Sequence, residues 1–220
     1  VCYDGYTVVT LKNPWKDGKT LHQYVLVPAA NSQLSTLHSQ LPNATFIRTP
    51  LRRSMIFSTV HCAMLMDLGK QDCIAGVADL KYIKIPWIQQ QVKEGRISDV
   101  GDGLSPVVEK IIDQRPDALF LSPFENSGGY GKLEDIDIPI VECAEYMESS
   151  PLGRAEWLRF YGMLFGCEQK ADSLFDAIDK NYNDLKALAA HHPSPNIQHP
   201  SPTVLLDNVT GSVWYVPGGK

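Results

Sequence analysis

The chain has 220 residues, of which 44% are hydrophobic and 20% are charged, and its formal net charge is −5. This is the composition of an ordinary globular protein, and the lack of a basic stripe argues against nucleic acid as a partner. No apolar run approaches the roughly 18 residues of a membrane span. No signal peptide is apparent at Val1, so we expect that any export signal has been removed.

Two strands open the chain. The β-branched and aromatic runs Tyr6–Lys12 and His22–Pro28 are separated by a turn segment that contains Pro, Asp and Gly, and this pattern predicts a hairpin. From Thr45 onwards, short apolar runs alternate with helical segments, and Ser105 is expected to cap a helix that starts with Pro106. The predicted strands are Thr45–Pro50, Arg53–Ser58, Ile74–Val77, Ala118–Ser122 and Pro139–Cys143, and the predicted helices are Val60–Leu68, Ile88–Gly95 and Pro106–Gln114.

A long helical segment with two halves runs from Ser149 to Ala190. In its second half the apolar residues recur at three- and four-residue steps, which predicts a helix with one apolar stripe. A helix over Glu168–Ala190 would be about 34 Å long. A loop rich in proline and histidine follows, and after it come two predicted strands, Thr203–Asp207 and Ser212–Val216. We interpret the helix as a spine between two α/β segments.

The alternation of strands and helices predicts a parallel sheet with crossover helices. Ligands of such sheets bind beyond the carboxyl ends of the strands, and this rule selects five loops. Those loops are Ser58–His61, Asp79–Tyr82, Asp102–Gly103, Ser122–Tyr130 and Ala144–Tyr146. The candidate ligand-binding residues on or beside them are Thr59, His61, Asp79, Tyr82, Trp87, Glu125, Asn126, Tyr130, Glu145 and Tyr146. Ordinary packing is the alternative for the aromatic candidates, and a helix cap or a core position is the alternative for His61.

The five cysteines show no CxxC or CxxH spacing. An odd number of scattered cysteines argues against a disulfide framework and against structural zinc, so we expect no metal site and expect the thiols to behave as small buried hydrophobic groups. His191, His192 and His199 lie among prolines that favour a loop. We interpret that segment as a linker.

Five short motifs follow one another in a particular order along the chain. They are Leu68-Gly69, Gly76-Val77, Val100-Gly101, Glu109-Lys110-Ile111 and Pro116-Asp117-Ala118-Leu119. Their order and spacing resemble the helical-backbone family of periplasmic substrate-binding proteins, which serve ABC importers of iron-siderophores, haem and cobalamin. The runs SPLGRAEWLRFYGMLFG and VWYVPGGK are similar to the iron-compound branch of that family. The resemblance covers the chain from about Tyr6 to Lys220.

The resemblance implies two α/β lobes that are joined by one long helix and hold the ligand in the cleft between them. The expected fold class is therefore α/β: a parallel-sheet lobe, then a long interlobe helix, with the second α/β lobe truncated to its first strands. The expected boundaries are an N-terminal lobe over residues 1–150, a helical segment over 151–190, a Pro/His-rich loop over 191–202 and the start of a C-terminal lobe over 203–220.

The resemblance also implies that Glu109 docks the protein onto a membrane permease. A glutamate in the first turn of a helix is equally favoured by the helix dipole, so a purely structural role is the alternative.

The function that the resemblance implies is that of an extracytoplasmic solute-binding component of an ABC importer, which captures an iron chelate (a siderophore or a haem-like compound) or cobalamin and delivers it to the permease. The expected partners are this small-molecule chelate and the ABC permease, without nucleic acid and without a cofactor. We expect a monomer that is periplasmic or is a membrane-tethered lipoprotein facing the periplasm. A non-catalytic interaction module and an α/β enzyme with an unrecognised site are the alternatives. Because the sequence lacks Gly-x-Ser-x-Gly and a phosphate-binding loop after a strand, we expect that the protein is not an enzyme.

Overall fold

The computed structural model of the chain describes residues 1–31, 39–125, 129–191, 208–210 and 213–215. The chain divides into two compact units, residues 1–181 and residues 182–220. The first unit contains two sheets and the helices that cover them, and the second contains the end of the last helix and a short hairpin. Within the described residues, no helix combines the length and the apolar character needed to cross a membrane.

The first sheet has four strands in the order β1-β2-β3-β4. Strands β1 to β3 are antiparallel to their neighbours, whereas β4 runs parallel to β3. Four successive residues of β3, from Tyr24 to Val27, are buried because the sheet is covered on both faces at this point. The predicted opening hairpin is confirmed. The strands are β1 (Cys2–Tyr3), β2 (Tyr6–Lys12), β3 (Thr20–Pro28) and β4 (Thr45–Thr49).

The second sheet has five strands, all parallel, in the order β11-β10-β5-β6-β7. Its central strand β10 is buried along its whole length, as expected for an unbroken apolar run in a sheet covered on both faces. The predicted parallel sheet is therefore confirmed. The strands are β5 (Ser54–Ile56), β6 (Ile74–Val77), β7 (Ser98–Asp99), β10 (Ala118–Leu121) and β11 (Ile140–Glu142), and the helices between them are α1 (Thr59–Asp67), α2 (Pro86–Lys93) and α3 (Val108–Gln114).

The start of α3 differs from the prediction. Ser105 and Pro106 form a short strand, β9 (Ser105–Pro106), which pairs with β8 (Gly101–Asp102) in an antiparallel hairpin. The helix begins at Val108, and its N-cap residue Val107 makes no side-chain capping hydrogen bond. The predicted helix start at Pro106 is wrong because local strand pairing takes the two residues that would have begun the helix.

Two helices follow the parallel sheet. Helix α4 (Pro151–Phe165) begins where the Ser150 hydroxyl accepts a hydrogen bond from the Gly153 amide at 2.9 Å. It ends at Gly166, whose φ of 60° lies in the left-handed region that a C-cap glycine adopts readily. Helix α5 (Glu168–His191) has 24 residues, which confirms the predicted long helix.

A hairpin of β12 (Asn208–Thr210) and β13 (Val213–Tyr215) follows α5 in the sequence. The second of the two predicted strands is present in shortened form. The first, over Thr203–Asp207, lies outside the described residues.

Aromatic side chains of α4 contact both sheets. The rings of Tyr161 and Phe165 lie 5.4 and 5.6 Å from the ring of Phe120 on β10, measured between centroids. The ring of Phe160 lies 5.8 Å from that of Tyr24 on β3. Because one helix is packed on both sheets, the loops at the ends of their strands have fixed relative positions.

The thiols provide a test of this packing. Cys2 is exposed, which corrects the expectation that all five thiols are buried, whereas Cys62 and Cys143 are buried. Burial raises the pKa of the Cys62 thiol to about 12 and that of Cys143 well above its usual range. Because the thiolate is the reactive form, we expect iodoacetamide at neutral pH to modify Cys2 and to leave Cys62 and Cys143 unmodified until denaturant is added. Peptide mass spectrometry measures this, and rapid labelling of Cys62 in the folded chain would contradict the packing.

Candidate functional site

A cavity of about 340 Å³ lies at the carboxyl ends of the parallel strands. We call it the strand-end cavity. The loops that follow β5, β6 and β10 meet there, at the place where the sequence rule for parallel sheets predicts a ligand. Its lining residues are Phe57, Ser58, Thr59, Ala78, Asp79, Tyr82, Ile83, Gly103, Leu104, Leu121, Ser122 and Phe124.

The polar floor of the cavity depends on a strained turn after β6. Asp79 has a φ of 53°, a left-handed conformation that is uncommon for residues other than glycine. Its amide donates a hydrogen bond to the Gly101 carbonyl at 2.7 Å, and its carbonyl accepts one from the Tyr82 amide at 2.8 Å. A Cβ atom on Gly103 would lie 2.5 Å from the Asp79 carboxylate, so only glycine leaves room for this side chain. The turn thus holds a carboxylate at the edge of the cavity.

Exposed apolar side chains surround the cavity. Tyr82, Leu104 and Phe124 retain 66%, 89% and 58% of their accessible surface, although all three line it. The ring of Tyr146 lies 6.4 Å from that of Phe124, and the Tyr146 hydroxyl donates a hydrogen bond to the Pro123 carbonyl at 2.5 Å. Large apolar groups that stay in water around one concave site are typical of a binding surface.

A second cavity of about 640 Å³ adjoins the first, and both are lined by Leu104, Ser122 and Phe124. It extends the site towards the charged side chains of Glu109 and Lys132. The two cavities therefore form one continuous surface that is apolar in the middle and charged at its edges.

A third cavity, of about 720 Å³, lies between β3, β4 and β11. We call it the seam cavity. His22 Nδ1 lies 2.9 Å from Glu142 Oε2, and His22 Nε2 lies 2.7 Å from the hydroxyl of Thr45. The Tyr130 hydroxyl donates to Glu142 Oε1 at 2.9 Å, and burial, followed by the neighbouring Glu142, raises the Tyr130 pKa above its usual range. This network joins the two sheets and leaves few polar atoms free for a ligand.

The structure brings four of the predicted residues to the continuous surface and places others away from it. Thr59, Asp79 and Tyr82 line the strand-end cavity, and Tyr130 lines the adjoining one. Tyr146 contacts the rim through Phe124. Asn126 lies outside the described residues.

The remaining candidates have other surroundings. Trp87 is half-buried and packs against the main core, and Glu125 lines a separate cavity of about 160 Å³. His61 and Glu145 are buried, with exposures of 0% and 3%, and His61 Nε2 lies 3.0 Å from Glu145 Oε1. His61 and Glu145 therefore bind each other inside the protein and are not available to a ligand in the cavity.

Sequence reasoning missed Leu104 and Phe124. Both are apolar residues in loops that are otherwise rich in Gly, Pro, Ser and Asp. Attention to polar side chains selected their neighbours instead. The signal that could have found them is a large apolar residue in a strand-end loop, where it has no sheet or helix to pack against.

The comparison with protein families decides the assignment. A model of the family described as periplasmic binding protein matches residues 59–220. The chain belongs to this family. The predicted family is thus confirmed, and because the family consists of solute-binding proteins, the expectation that the chain is not an enzyme is confirmed with it.

Two curated relatives illustrate the similarity. An uncharacterized lipoprotein of Methanocaldococcus jannaschii is 29% identical over 146 residues, which are 63% of this chain and 35% of that protein. The petrobactin-binding protein YclQ of Bacillus subtilis is 27% identical over 160 residues, which are 71% of this chain and 48% of that protein. The chain therefore spans about a third to a half of the length of these curated relatives.

A solved structure shows the same fold. A periplasmic binding protein from Veillonella parvula has a TM-score of 0.62 to this chain with 13% sequence identity, and the similarity covers 98% of this chain and 61% of that one. At this identity the likeness concerns the fold, and it confirms the expected mixed α/β class with a parallel sheet and long helices.

The seam network gives a prediction on stability. Tyr130→Phe removes the hydroxyl that donates to the Glu142 carboxylate, and we expect it to lower the free energy of unfolding by about 1.5 to 3 kcal/mol, the usual cost of losing a hydrogen bond to a charged group. Tyr146→Phe is the matched control, because its hydroxyl donates only to a neutral carbonyl and is expected to cost about 1 kcal/mol. Urea denaturation of both variants measures the difference, and equal losses would contradict the proposed role of Glu142.

Proposed function

We propose that the chain is the amino-terminal part of an extracytoplasmic solute-binding component of an ABC importer, and that the strand-end cavity forms one half of its ligand site. The observation that carries the proposal is the ring of exposed apolar side chains, Tyr82, Leu104 and Phe124, around a cavity at the carboxyl ends of parallel strands. A cavity of this kind would cover one face of a ligand and leave the opposite face for a second lobe. The membership of the family of periplasmic binding proteins supports this role.

The ligand class that we propose is a metal chelate of the siderophore, haem or cobalamin kind. The centre of the continuous surface is aromatic and aliphatic, which suits the large apolar faces of such chelates. The edges carry both signs of charge, with Asp79 and Glu109 on the acidic side and Lys132 on the basic side. The Lys81 ammonium lies 4.9 Å from the centre of the Tyr82 ring, so a further cation stands beside the rim. The similarity to a petrobactin-binding protein supports a chelate as cargo.

A second lobe would close the site. The proposal is supported by the length of the curated relatives, because the chain spans less than half of either one. It is also supported by an apolar stripe on α5, where Ile178, Tyr182, Leu185 and Leu188 remain 37% to 66% exposed. We propose that the second lobe of the same protein covers this stripe and that α5 is the interlobe helix. The boundaries at residues 150, 190 and 202 belong to this proposal.

The proposed location is outside the cytoplasm, either free or tethered to the membrane by a lipid. The family name and the lipoprotein relative support this location. The proposed partners are the chelate and the membrane permease, and we expect a monomer in solution.

The half-site proposal predicts weak binding by this chain alone. Isothermal titration with a panel of ferric siderophores, haem, cobalamin and molybdate should give dissociation constants at least about tenfold weaker for the 220-residue chain than for a chain that continues through the second lobe, because the open half forfeits buried contact. In the longer chain, Tyr82→Ala should weaken the best ligand by about tenfold, whereas Trp87→Phe, which alters the core side of the neighbouring helix, should leave it unchanged. Equal affinity of Tyr82→Ala and wild type would show that the cavity is not the site.

We further propose that Glu109 docks the protein onto the permease. Glu109 is the second residue of α3 and is exposed, so its carboxylate is free to meet an arginine in a charge-assisted pair. Only Ile111 of this helix is buried, whereas Val107 and Ile112 keep 41% and 49% of their surface, so the buried face is narrower than the sequence indicated. The exposed apolar neighbours add area to a docking patch.

The docking proposal predicts a transport defect without a binding defect. In the full-length protein with its permease in vesicles, Glu109→Ala should slow chelate uptake several-fold and leave stability and chelate affinity unchanged, because charges at the rim of an interface act mainly on association. Asp113→Ala, an exposed acid one turn further along the same helix, is the control and should have little effect. Unfolding of the lobe by Glu109→Ala, or equal uptake by all three proteins, would contradict docking through Glu109.

A further inference from the structure

The buried group of His61, Cys143 and Glu145 lies beneath the strand-end loops. Their side-chain nitrogen, sulfur and oxygen atoms lie within 4.8 Å of one another, and their exposures are 0%, 0% and 3%. His61 comes from the first turn of α1, Cys143 follows β11 directly, and Glu145 begins the short 3-10 turn at 145–147. Their neighbours in sequence, Thr59 and Tyr146, reach the strand-end cavity and its rim.

Two atoms of this group have no hydrogen-bond partner among the described protein atoms. They are His61 Nδ1 and Glu145 Oε2, and both are inaccessible to solvent. A buried polar atom without a partner costs about 1 to 3 kcal/mol, and more when the group is charged. Such atoms in a folded protein call for an explanation, and an ion is one of the usual ones.

The donor types fit a borderline transition metal. Imidazole nitrogen, thiolate sulfur and carboxylate oxygen are the three ligands that zinc takes in proteins, at about 2.0 to 2.3 Å. Ligand atoms at those lengths around a tetrahedral ion lie about 3.3 to 3.8 Å apart. His61 Nε2 and Glu145 Oε1 are already 3.0 Å apart, so side-chain shifts of about 1 Å would complete the geometry. The Tyr161 hydroxyl lies 3.2 Å from Cys143 Sγ and is placed to hydrogen-bond the sulfur or to occupy a fourth position.

Charge balance favours the same ion. A thiolate and a carboxylate carry two negative charges, and a neutral imidazole adds none. A divalent cation therefore makes the buried site neutral, which removes the penalty of an unpaired buried charge. The ion bonds to the Cys143 sulfur in place of the thiol proton, and that proton leaves to solvent.

We propose that His61, Cys143 and Glu145 form a structural site for one divalent transition-metal ion, with zinc as the best match to the donor set. The ion ties the start of α1 to the end of β11 and so stiffens the floor beneath the strand-end cavity. The spacing of these residues in the sequence, 82 and 84 positions between His61 and the other two, hides the site from motif searches. The earlier expectation of no metal site rested on that spacing.

Cobalt provides the test, because thiolate-bound Co²⁺ gives charge-transfer absorption that oxygen and nitrogen sites lack. The full chain is unfolded, refolded with Co²⁺ and dialysed. About one equivalent of cobalt should remain, with a thiolate-to-cobalt band that Zn²⁺ abolishes. Cys143→Ser should lose the band, whereas Cys62→Ser, which removes an equally buried thiol outside the group, should keep it. Tyr82→Ala should also keep it, which separates this site from the proposed chelate site.

A second measurement does not depend on the variants. The unmutated chain refolded with Zn²⁺ should melt at a higher temperature than the same chain refolded with a chelator, because an ion bound only by the folded state stabilises it. X-ray absorption at the zinc edge should show one sulfur neighbour. Retention of no metal, or a cobalt band that survives Cys143→Ser, would overturn the proposal and leave His61 and Glu145 as a simple hydrogen-bonded pair.

Discussion

The packing of α4 against the two sheets is the interaction on which the rest of the first unit depends. Phe120 from the buried central strand meets Tyr161 and Phe165, and Tyr24 from the other sheet meets Phe160 on the same helix. Each aromatic side chain buries a large area, and ring pairs at these separations add roughly 0.5 to 1.5 kcal/mol beyond that area. Loss of α4 would leave one face of the parallel sheet in water and remove the contact that positions the hairpin beside it.

Fixed sheets give fixed strand ends, and the candidate site follows from that. The loops after β5, β6 and β10 meet at one edge because the strands are parallel, and the left-handed turn at Asp79 aims a carboxylate along that edge. A strained backbone of this kind persists only where the surroundings hold it. The hydrogen bond from the Asp79 amide to Gly101 and the space left by Gly103 provide that support. The rim of Tyr82, Leu104 and Phe124 then remains exposed because the loops that carry it have no layer above them.

Much of this architecture could be predicted from the sequence, because it depends on local patterns. The two-residue and 3.6-residue periods identified the opening hairpin, the parallel strands and the 24-residue helix α5. The start of α3 could not be predicted in this way, since Ser105 and Pro106 serve a helix cap or a strand equally well and only the pairing with Gly101 and Asp102 decides between them.

The site was predicted less well than the fold, and the reason is physical. Side chains that point into the protein cannot be told from those that point into a cleft until their partners are known. His61 and Glu145 were both candidates for ligand contact, yet they are partners of each other across 84 positions of sequence. Phe124 was overlooked because an exposed apolar residue in a loop gives no periodic signal. Its role becomes visible only when the cavity that it lines is seen.

Hydrogen–deuterium exchange on a chain that includes the second lobe, with and without a bound ferric chelate, tests the central claim most directly. The account predicts slower amide exchange in peptides that contain Ser58 and Thr59, Asp79 to Tyr82, and Ser122 to Phe124, because these loops line the strand-end cavity. Protection confined to peptides that contain His22, Thr45 and Glu142, with the strand-end loops unchanged, would place the ligand in the seam cavity and contradict the account.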